Sequence, residues 1–210
     1  MAFTSFRFIV FLVLAAAAYF LTPKRCRWVT LFVANYVFYF ISGGRIFIYL
    51  LATTVTTYLA TVKIGDMAAK NKIAFNEAKA ELDKEGKKAW KAAFAKKKKR
   101  ILIPTLLFNF GILAVLKYSG FVTENLNLLF AKIGIGTELP VFRFLLPLGI
   151  SFYTFQSMGY LIDVYREKQE PERNFCKLAL FISFFPQIVQ GPISRFGTLA
   201  EQLFRANEFS

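Results

Sequence analysis

LLPLGISFYTFQSMGYLIDVYR at residues 145–166 and FFPQIVQGPISR at residues 184–195 are apolar enough to enter a membrane, yet both carry polar and helix-breaking residues. Polar backbone and side-chain groups that face hydrocarbon cost several kcal/mol each unless protein or cavity water satisfies them. We therefore expect these two stretches to line an interior passage or to pack against other helices. If these residues encode a function, it should lie there.

The composition predicts an all-α polytopic membrane protein. Hydrophobic residues make up 56% of the chain and include 26 Phe, while the net charge is +14, an unusual combination for a soluble domain. A spanning helix needs about 20 residues, with a range of roughly 17–25. Six apolar runs occur, at residues 8–21, 28–41, 46–62, 101–116, 145–164 and 178–193. The sequence thus predicts about six transmembrane helices, some of them broken; five spans and one re-entrant segment is the alternative.

The positive charges predict the orientation of these spans. Lys and Arg follow the first run and the fifth run, and 13 of the 27 lie within residues 63–100. These clusters fall on every second connection, and cytoplasmic loops collect Lys and Arg. We expect an outward N-terminus and cytoplasmic residues 63–100. The first run resembles a signal peptide, but apolar residues continue past its small residues, which favours a retained helix.

The chain divides into three regions on this basis. Residues 1–62 hold three N-terminal spans, residues 63–100 form a basic cytoplasmic amphipathic connector, and residues 101–210 hold both polar stretches. The connector has apolar positions at helical spacing and either lies on an anionic leaflet or is a solvated link whose charge only fixes orientation. A nucleic-acid partner is not expected, because the basic run lies right at the membrane entry.

The chain lacks visible catalytic residues. It contains no histidine, which excludes a Ser-His-Asp triad, a Cys-His pair or a His-based metal site within these residues. Cys26 and Cys176 have neither a CxxC partner nor metal-ligand spacing, and both are expected to be unreactive. No catalytic residue, metal site or bound cofactor is therefore predicted.

The fifth run carries a polar stripe. Its members recur every three or four residues and occupy one helix face about 80° wide. They are Gly149, Tyr153, Gln156, Tyr160 and Asp163. Such a stripe either binds a hydroxylated or thioester-bearing ligand or holds neighbouring helices together, at about 0.6–2 kcal/mol per hydrogen bond. Asp163 is expected to form a structural ion pair with Arg166.

The sixth run cannot be one regular helix. Pro186 and Pro192 flank Gln187, Gln190 and Gly191, and proline interrupts helical hydrogen bonding. Gln187, Gln190 and Ser194 are predicted to share a face, with Arg195 emerging at the outer end. A broken polar helix at membrane depth marks a cavity; the alternative is a kinked packing helix.

The two stretches together resemble the membrane-bound O-acyltransferase (MBOAT) superfamily, in particular the bacterial branch that contains the alginate O-acetyltransferase membrane subunit and the D-alanyl-teichoic acid transferase. FTSFRFIVFLVLAAAAYFL, VANYVFYF and LKYSGFVTENLN stand in similar order, so the resemblance covers nearly the whole chain. The structural motif positions that it indicates are Pro147, Gly149, Asp163, Pro186, Gly191 and Pro192.

The resemblance implies acyl transfer across a bacterial inner membrane. An acyl thioester donor, acetyl-CoA or an acyl carrier protein, would arrive from the cytosol, and a polysaccharide hydroxyl would enter from outside. A periplasmic or extracellular acyltransferase partner is a further expectation. The residues that would line the substrate tunnel are Tyr153, Gln156, Gln187, Gln190 and Arg195.

The family's essential histidine lies downstream of the Pro-Gly-Pro region, so the resemblance implies an N-terminal portion that is inactive alone. Two features depart from the family pattern: a longer Lys-rich insertion at residues 66–100, and Gln190 in place of a small residue. The alternative function, from another class, is that of a non-enzymatic membrane protein, either a small transporter or an assembly subunit. No inverted internal repeat supports a transporter.

Overall fold

The computed structural model describes residues 6–44, 47–134, 139–140, 149–190 and 194–204, and every regular element in these ranges is helical. The helices are α1 (Phe6–Leu21), α2 (Arg27–Gly43), α3 (Phe47–Ala78), α4 (Lys84–Lys132), α5 (Ile150–Tyr165), α6 (Phe175–Ser183), α7 (Phe185–Gln190) and α8 (Phe196–Phe204). A short 3₁₀ turn at Lys24–Cys26 joins α1 to α2. The all-helical prediction is confirmed for the described residues.

Two helices in the described ranges, α3 and α4, are long and apolar enough to cross a membrane. The α1 helix and the broken segment Phe175–Gln187 are apolar but shorter. The prediction of about six transmembrane helices is therefore not confirmed. Some of the helices are too short: α1 and α5 each have 16 residues, just below the usual spanning range of roughly 17–25.

Residues 63–100 form two helix ends rather than one amphipathic helix. The α3 helix continues from its apolar part through Ala78, and after a turn α4 begins at Lys84. Asp83 caps α4 because its Oδ1 accepts a hydrogen bond from the Gly86 N–H at 2.7 Å. We call residues 63–78 of α3 and residues 84–100 of α4 the basic arms. Trp90 Nε1 donates a hydrogen bond to Asn71 Oδ1 at 3.0 Å, which joins the two arms.

The helices pack in two groups that share a core. The α5 helix lies against α3 and α4, while α2 lies against α1 and α6. Contacts of α3 with α6 and of α5 with α6 join the two groups. The rings of Phe38 and Phe185, with centroids 5.0 Å apart, pack at the α2 side of this core. The polar stripe of α5 is thereby enclosed by three neighbouring helices.

The predicted break in the sixth apolar run lies at Phe184. The α6 helix ends at Ser183, Phe184 leaves the helical conformation with ψ 97°, and α7 starts at Phe185. Proline at position 186 explains the break, because its ring would collide with the Ile182 carbonyl in a continuous helix. Proline also disfavours a helical conformation at the residue before it. Pro186 is tolerated in the first turn of α7, where it is exposed.

Candidate functional site

The polar stripe of α5 faces the protein interior. Tyr153 is 1% exposed and Gln156 is 3% exposed, and Tyr160 is buried as well. Phe155, on the other side of the helix, is 47% exposed. Gly149 precedes α5 with φ 67°, in the left-handed region that glycine adopts without strain. The sequence prediction that these polar residues share one buried face is confirmed for these three residues.

The Gln156 amide connects α5 to the broken helix. Its Nε2 donates to the Phe181 carbonyl at 2.9 Å and to Gln187 Oε1 at 3.1 Å. Gln187 Nε2 in turn donates to Ser194 Oγ. We call Gln156, Gln187 and Ser194 the amide relay. It brings two of the predicted tunnel residues, Gln156 and Gln187, into direct contact.

Asn35 of α2 satisfies the backbone that the helix break frees. Its Oδ1 accepts a hydrogen bond from the Phe185 N–H at 2.7 Å, and its Nδ2 donates to the Leu31 carbonyl at 2.6 Å. Asn35 is fully buried. Sequence reasoning missed this residue; the only local signal is a lone amide within the apolar run at residues 28–41.

Three buried tyrosine hydroxyl groups have no hydrogen-bond partner in the described chain. They belong to Tyr36, Tyr39 and Tyr153. Tyr36 and Tyr39 lie on α2, and Tyr153 lies on α5. Ser183 Oγ, at the end of α6, is likewise buried and unpaired. Buried polar groups are rarely left unsatisfied, so these hydroxyls suit a site that receives a polar ligand.

The remaining predicted tunnel and motif residues are not part of the amide relay. Arg195 is exposed at the start of α8, where its carbonyl accepts a hydrogen bond from Leu199 N at 3.2 Å. Pro147, Gly191, Pro192 and the side chain of Gln190 lie outside the described part of the structure. Their proposed roles therefore stay predictions.

The predicted ion pair between Asp163 and Arg166 is wrong. Asp163 is half-buried, and Arg166 is exposed and serves only as the C-terminal cap of α5. Lys98 of α4 binds this helix end instead, donating to the Tyr165 carbonyl at 2.9 Å and pairing with Glu167 Oε1 at 2.5 Å. The ion pair that the structure shows at this helix end thus comes from a residue distant in sequence.

The side chains of this region can form hydrogen bonds. Phenols and amides bind and orient hydroxyl and carbonyl groups. The chain contains no histidine, and the described residues include no cluster of three or more His, Cys, Asp or Glu that could hold a metal ion. The described side chains could bind a polar ligand by hydrogen bonds.

Comparison with known proteins shows which proteins this chain is related to. The chain is 33% identical over 205 residues to the probable alginate O-acetylase AlgI of Azotobacter vinelandii and 31% identical over 205 residues to that of Pseudomonas aeruginosa. Each alignment covers 96% of this chain. The chain is a relative of the MBOAT-type O-acetyltransferases. With the apolar helices, this relationship identifies it as a membrane protein.

A second kind of relative shares part of the sequence. The peptidoglycan O-acetyltransferase of Helicobacter pylori is 33% identical over 116 residues, which cover 44% of this chain and 21% of that protein. The chain spans about a third of the length of its alginate O-acetylase relatives, 36% and 34% in the two cases given above. No protein-family model matches the chain. No solved structure matches it either.

Proposed function

We propose that this chain is part of a membrane-bound enzyme that transfers an acyl group, acetyl in the simplest case, from a thioester donor to a hydroxyl of a cell-surface polysaccharide. The names of relatives that act on alginate and on peptidoglycan support this class of reaction. The structural observation that carries the proposal is the presence of buried tyrosine hydroxyl groups without a hydrogen-bond partner, among them those of Tyr39 and Tyr153.

In the proposed reaction the acceptor hydroxyl attacks the thioester carbonyl carbon, a new C–O bond forms, and the C–S bond breaks to release a thiol. The proton of the hydroxyl passes to a general base and then to the leaving thiolate. Since these 210 residues contain no histidine, a histidine general base would have to come from residues outside them. None of the side chains described above is assigned that role.

The proposed role of this chain's polar residues is to position the acceptor. Both Gln156 N–H groups are already committed, to the Phe181 carbonyl and to Gln187, which leaves Oε1 to accept a hydrogen bond. Tyr153 can donate its unpartnered hydroxyl to an acceptor oxygen. Together the two would hold a sugar hydroxyl by one donor and one acceptor. Such orientation is a large source of rate enhancement.

The proposed setting is a bacterial inner membrane, with the N-terminus outside and the basic arms of α3 and α4 in the cytosol. The support is the concentration of Lys and Arg in residues 63–100. The donor, acetyl-CoA or an acyl carrier protein, would then approach from the basic end. A polysaccharide acceptor and a periplasmic or extracellular partner protein would approach from the opposite end.

The proposal is tested with the complete gene product reconstituted in vesicles. Release of free thiol from acetyl-CoA is measured with and without an acetyl-free polysaccharide. The proposal expects polysaccharide-dependent release, reduced about tenfold in Tyr153→Phe by the loss of one hydrogen bond to the acceptor. Phe155→Leu, on the exposed side of α5, is the control and should leave release unchanged. Solute flux without thiol release would instead support a transporter.

A further inference from the structure

A cleft of about 820 Å³ lies apart from the amide relay, between the basic arms of α3 and α4 and the segment after α5. This volume falls within the range of about 300–1,000 Å³ that is typical of small-ligand sites. Three aromatic side chains line the cleft, Phe75, Trp90 and Phe94. Four cationic side chains also line it, Lys72, Lys91, Lys98 and Arg173.

The cleft lies just beyond the apolar part of the helices. The apolar run of α3 ends near Val62, and the lining begins at Gly65. At about 1.5 Å per residue, this step is about 5 Å along the helix. On α4 the lining ends at Lys98, and the apolar run begins at Ile101. Headgroups occupy the layer outside a hydrocarbon core of about 30 Å, so the cleft opens at headgroup depth.

The charges in the cleft leave two lysines available for an anion. Lys98 is paired with Glu167 at 2.5 Å, and Arg173 is paired with Asp66 at 2.7 Å. Lys72 and Lys91 are exposed and form no ion pair in the described chain. Glu170 is the other acidic residue of the lining, so the cleft as a whole is positively charged.

The antiparallel ends of α3 and α4 place Lys72 and Lys91 at the same distance from the apolar parts of the two helices. Asn71 and Trp90 are joined by a hydrogen bond of 3.0 Å, and each of the two lysines directly follows one member of this pair. The Phe75 and Trp90 rings, with centroids 6.1 Å apart, form the adjoining wall. Amphipathic aromatic rings are typical of the headgroup layer of a membrane.

We propose that this cleft binds the phosphate headgroup of an anionic phospholipid, with the phosphate between Lys72 and Lys91 and the acyl chains along the apolar parts of α3 and α4. The site is separate from the amide relay and independent of the proposed acyl transfer. Binding at this site differs from the general attraction of a basic surface to an acidic bilayer, because it depends on two particular lysines among the many in the basic arms.

Trp90 provides a direct readout, since the chain has two tryptophans and Trp28→Phe leaves only the one in the cleft. The purified variant in detergent micelles is titrated with dioleoylphosphatidylglycerol and, separately, with dioleoylphosphatidylcholine. The proposal expects a saturable change in Trp90 emission with the anionic lipid alone. Adding Lys72→Gln and Lys91→Gln should weaken the apparent affinity about thirtyfold, or about fivefold for each lysine removed.

The matched control is Lys96→Gln with Lys99→Gln, which removes the same charge from exposed positions of α4 outside the cleft. Its apparent affinity should stay within about twofold of the parent, because exposed charges away from the site are screened. Equal weakening in both double variants would overturn the proposal in favour of general attraction. The same emission change with inorganic phosphate or ADP alone would overturn it in favour of a soluble ligand.

Discussion

Asn35 accepts a hydrogen bond from the backbone N–H of Phe185, at 2.7 Å and across 150 residues of sequence. The bond connects α2 to the first residue of α7, directly after the break at Phe184. A helix break inside an apolar bundle frees backbone groups that must find partners. The buried Asn35 side chain therefore stabilises the helix break by satisfying the Phe185 N–H.

Replacing Asn35 should destabilise the protein. Asn35→Leu keeps the number of side-chain heavy atoms but leaves the buried Phe185 N–H without a partner, which costs about 1–3 kcal/mol of the free energy of unfolding. The measurement is denaturant unfolding of the purified chain in mild detergent. Asn125→Leu is the control, because Asn125 is exposed and its Nδ2 makes the same kind of bond, to the carbonyl four residues earlier. An equal loss in both variants would contradict the supporting role of Asn35.

The amide relay should show energetic coupling. Gln156 and Gln187 share a hydrogen bond of 3.1 Å, so their single and double replacements by Leu should be non-additive by about 0.6–2 kcal/mol. The free energy of unfolding is measured for the four members of this double-mutant cycle. A second cycle between Gln156 and Asn125 should be additive. Zero coupling in the first cycle would show that the relay does not join α5 to α7 energetically.

Two helical glycines should respond in opposite directions to alanine. A Cβ on Gly65 would overlap the ring of Pro171, so Gly65→Ala should lower the free energy of unfolding by about 1–3 kcal/mol. A Cβ on Gly111, in α4, would meet no atom within 4 Å. Gly111→Ala should raise stability by about 0.5–1 kcal/mol, because alanine favours the helix. Thermal unfolding of both variants checks this, and a stabilised Gly65→Ala would refute the close contact.

The two ion pairs at the basic end should differ in strength and in salt dependence. Lys98 is buried and bound to both Glu167 and the Tyr165 carbonyl, so Lys98→Met should cost about 1.5–3 kcal/mol. Asp66 and Arg173 are both exposed, so Asp66→Asn should cost at most about 1 kcal/mol. Unfolding at low and high salt distinguishes them, since only the exposed pair should weaken strongly with salt. A larger effect of Asp66→Asn would contradict this assignment.

Local signals in the sequence predicted much of the helical arrangement. Apolar runs located α1 and α2, and proline at position 186 predicted that the sixth run is broken. The spacing of Tyr153, Gln156 and Tyr160 predicted their shared buried face, because side-chain direction follows from the helical repeat. Each of these features depends on residues within one or two helical turns of each other.

Non-local partners were not predictable in the same way. No local pattern pairs Asn35 with Phe185, or directs Lys98 rather than Arg166 to the end of α5. Residues 63–100 were expected to form an amphipathic connector, and in the structure their Ala-, Lys- and Glu-rich sequence continues both long helices past their apolar parts. Apolar periodicity alone does not show where such a helix ends.

The most direct test of the proposed acyl transfer is to follow labelled acetyl groups from acetyl-CoA to polysaccharide in vesicles that contain the complete gene product. We expect label on the polysaccharide with the parent protein and about a tenfold lower rate with Tyr153→Phe at equal protein level. Phe155→Leu should transfer at the parent rate. Undiminished transfer by Tyr153→Phe would remove the α5 stripe from the acceptor site, and no transfer by the parent with any thioester donor would contradict the proposed function itself.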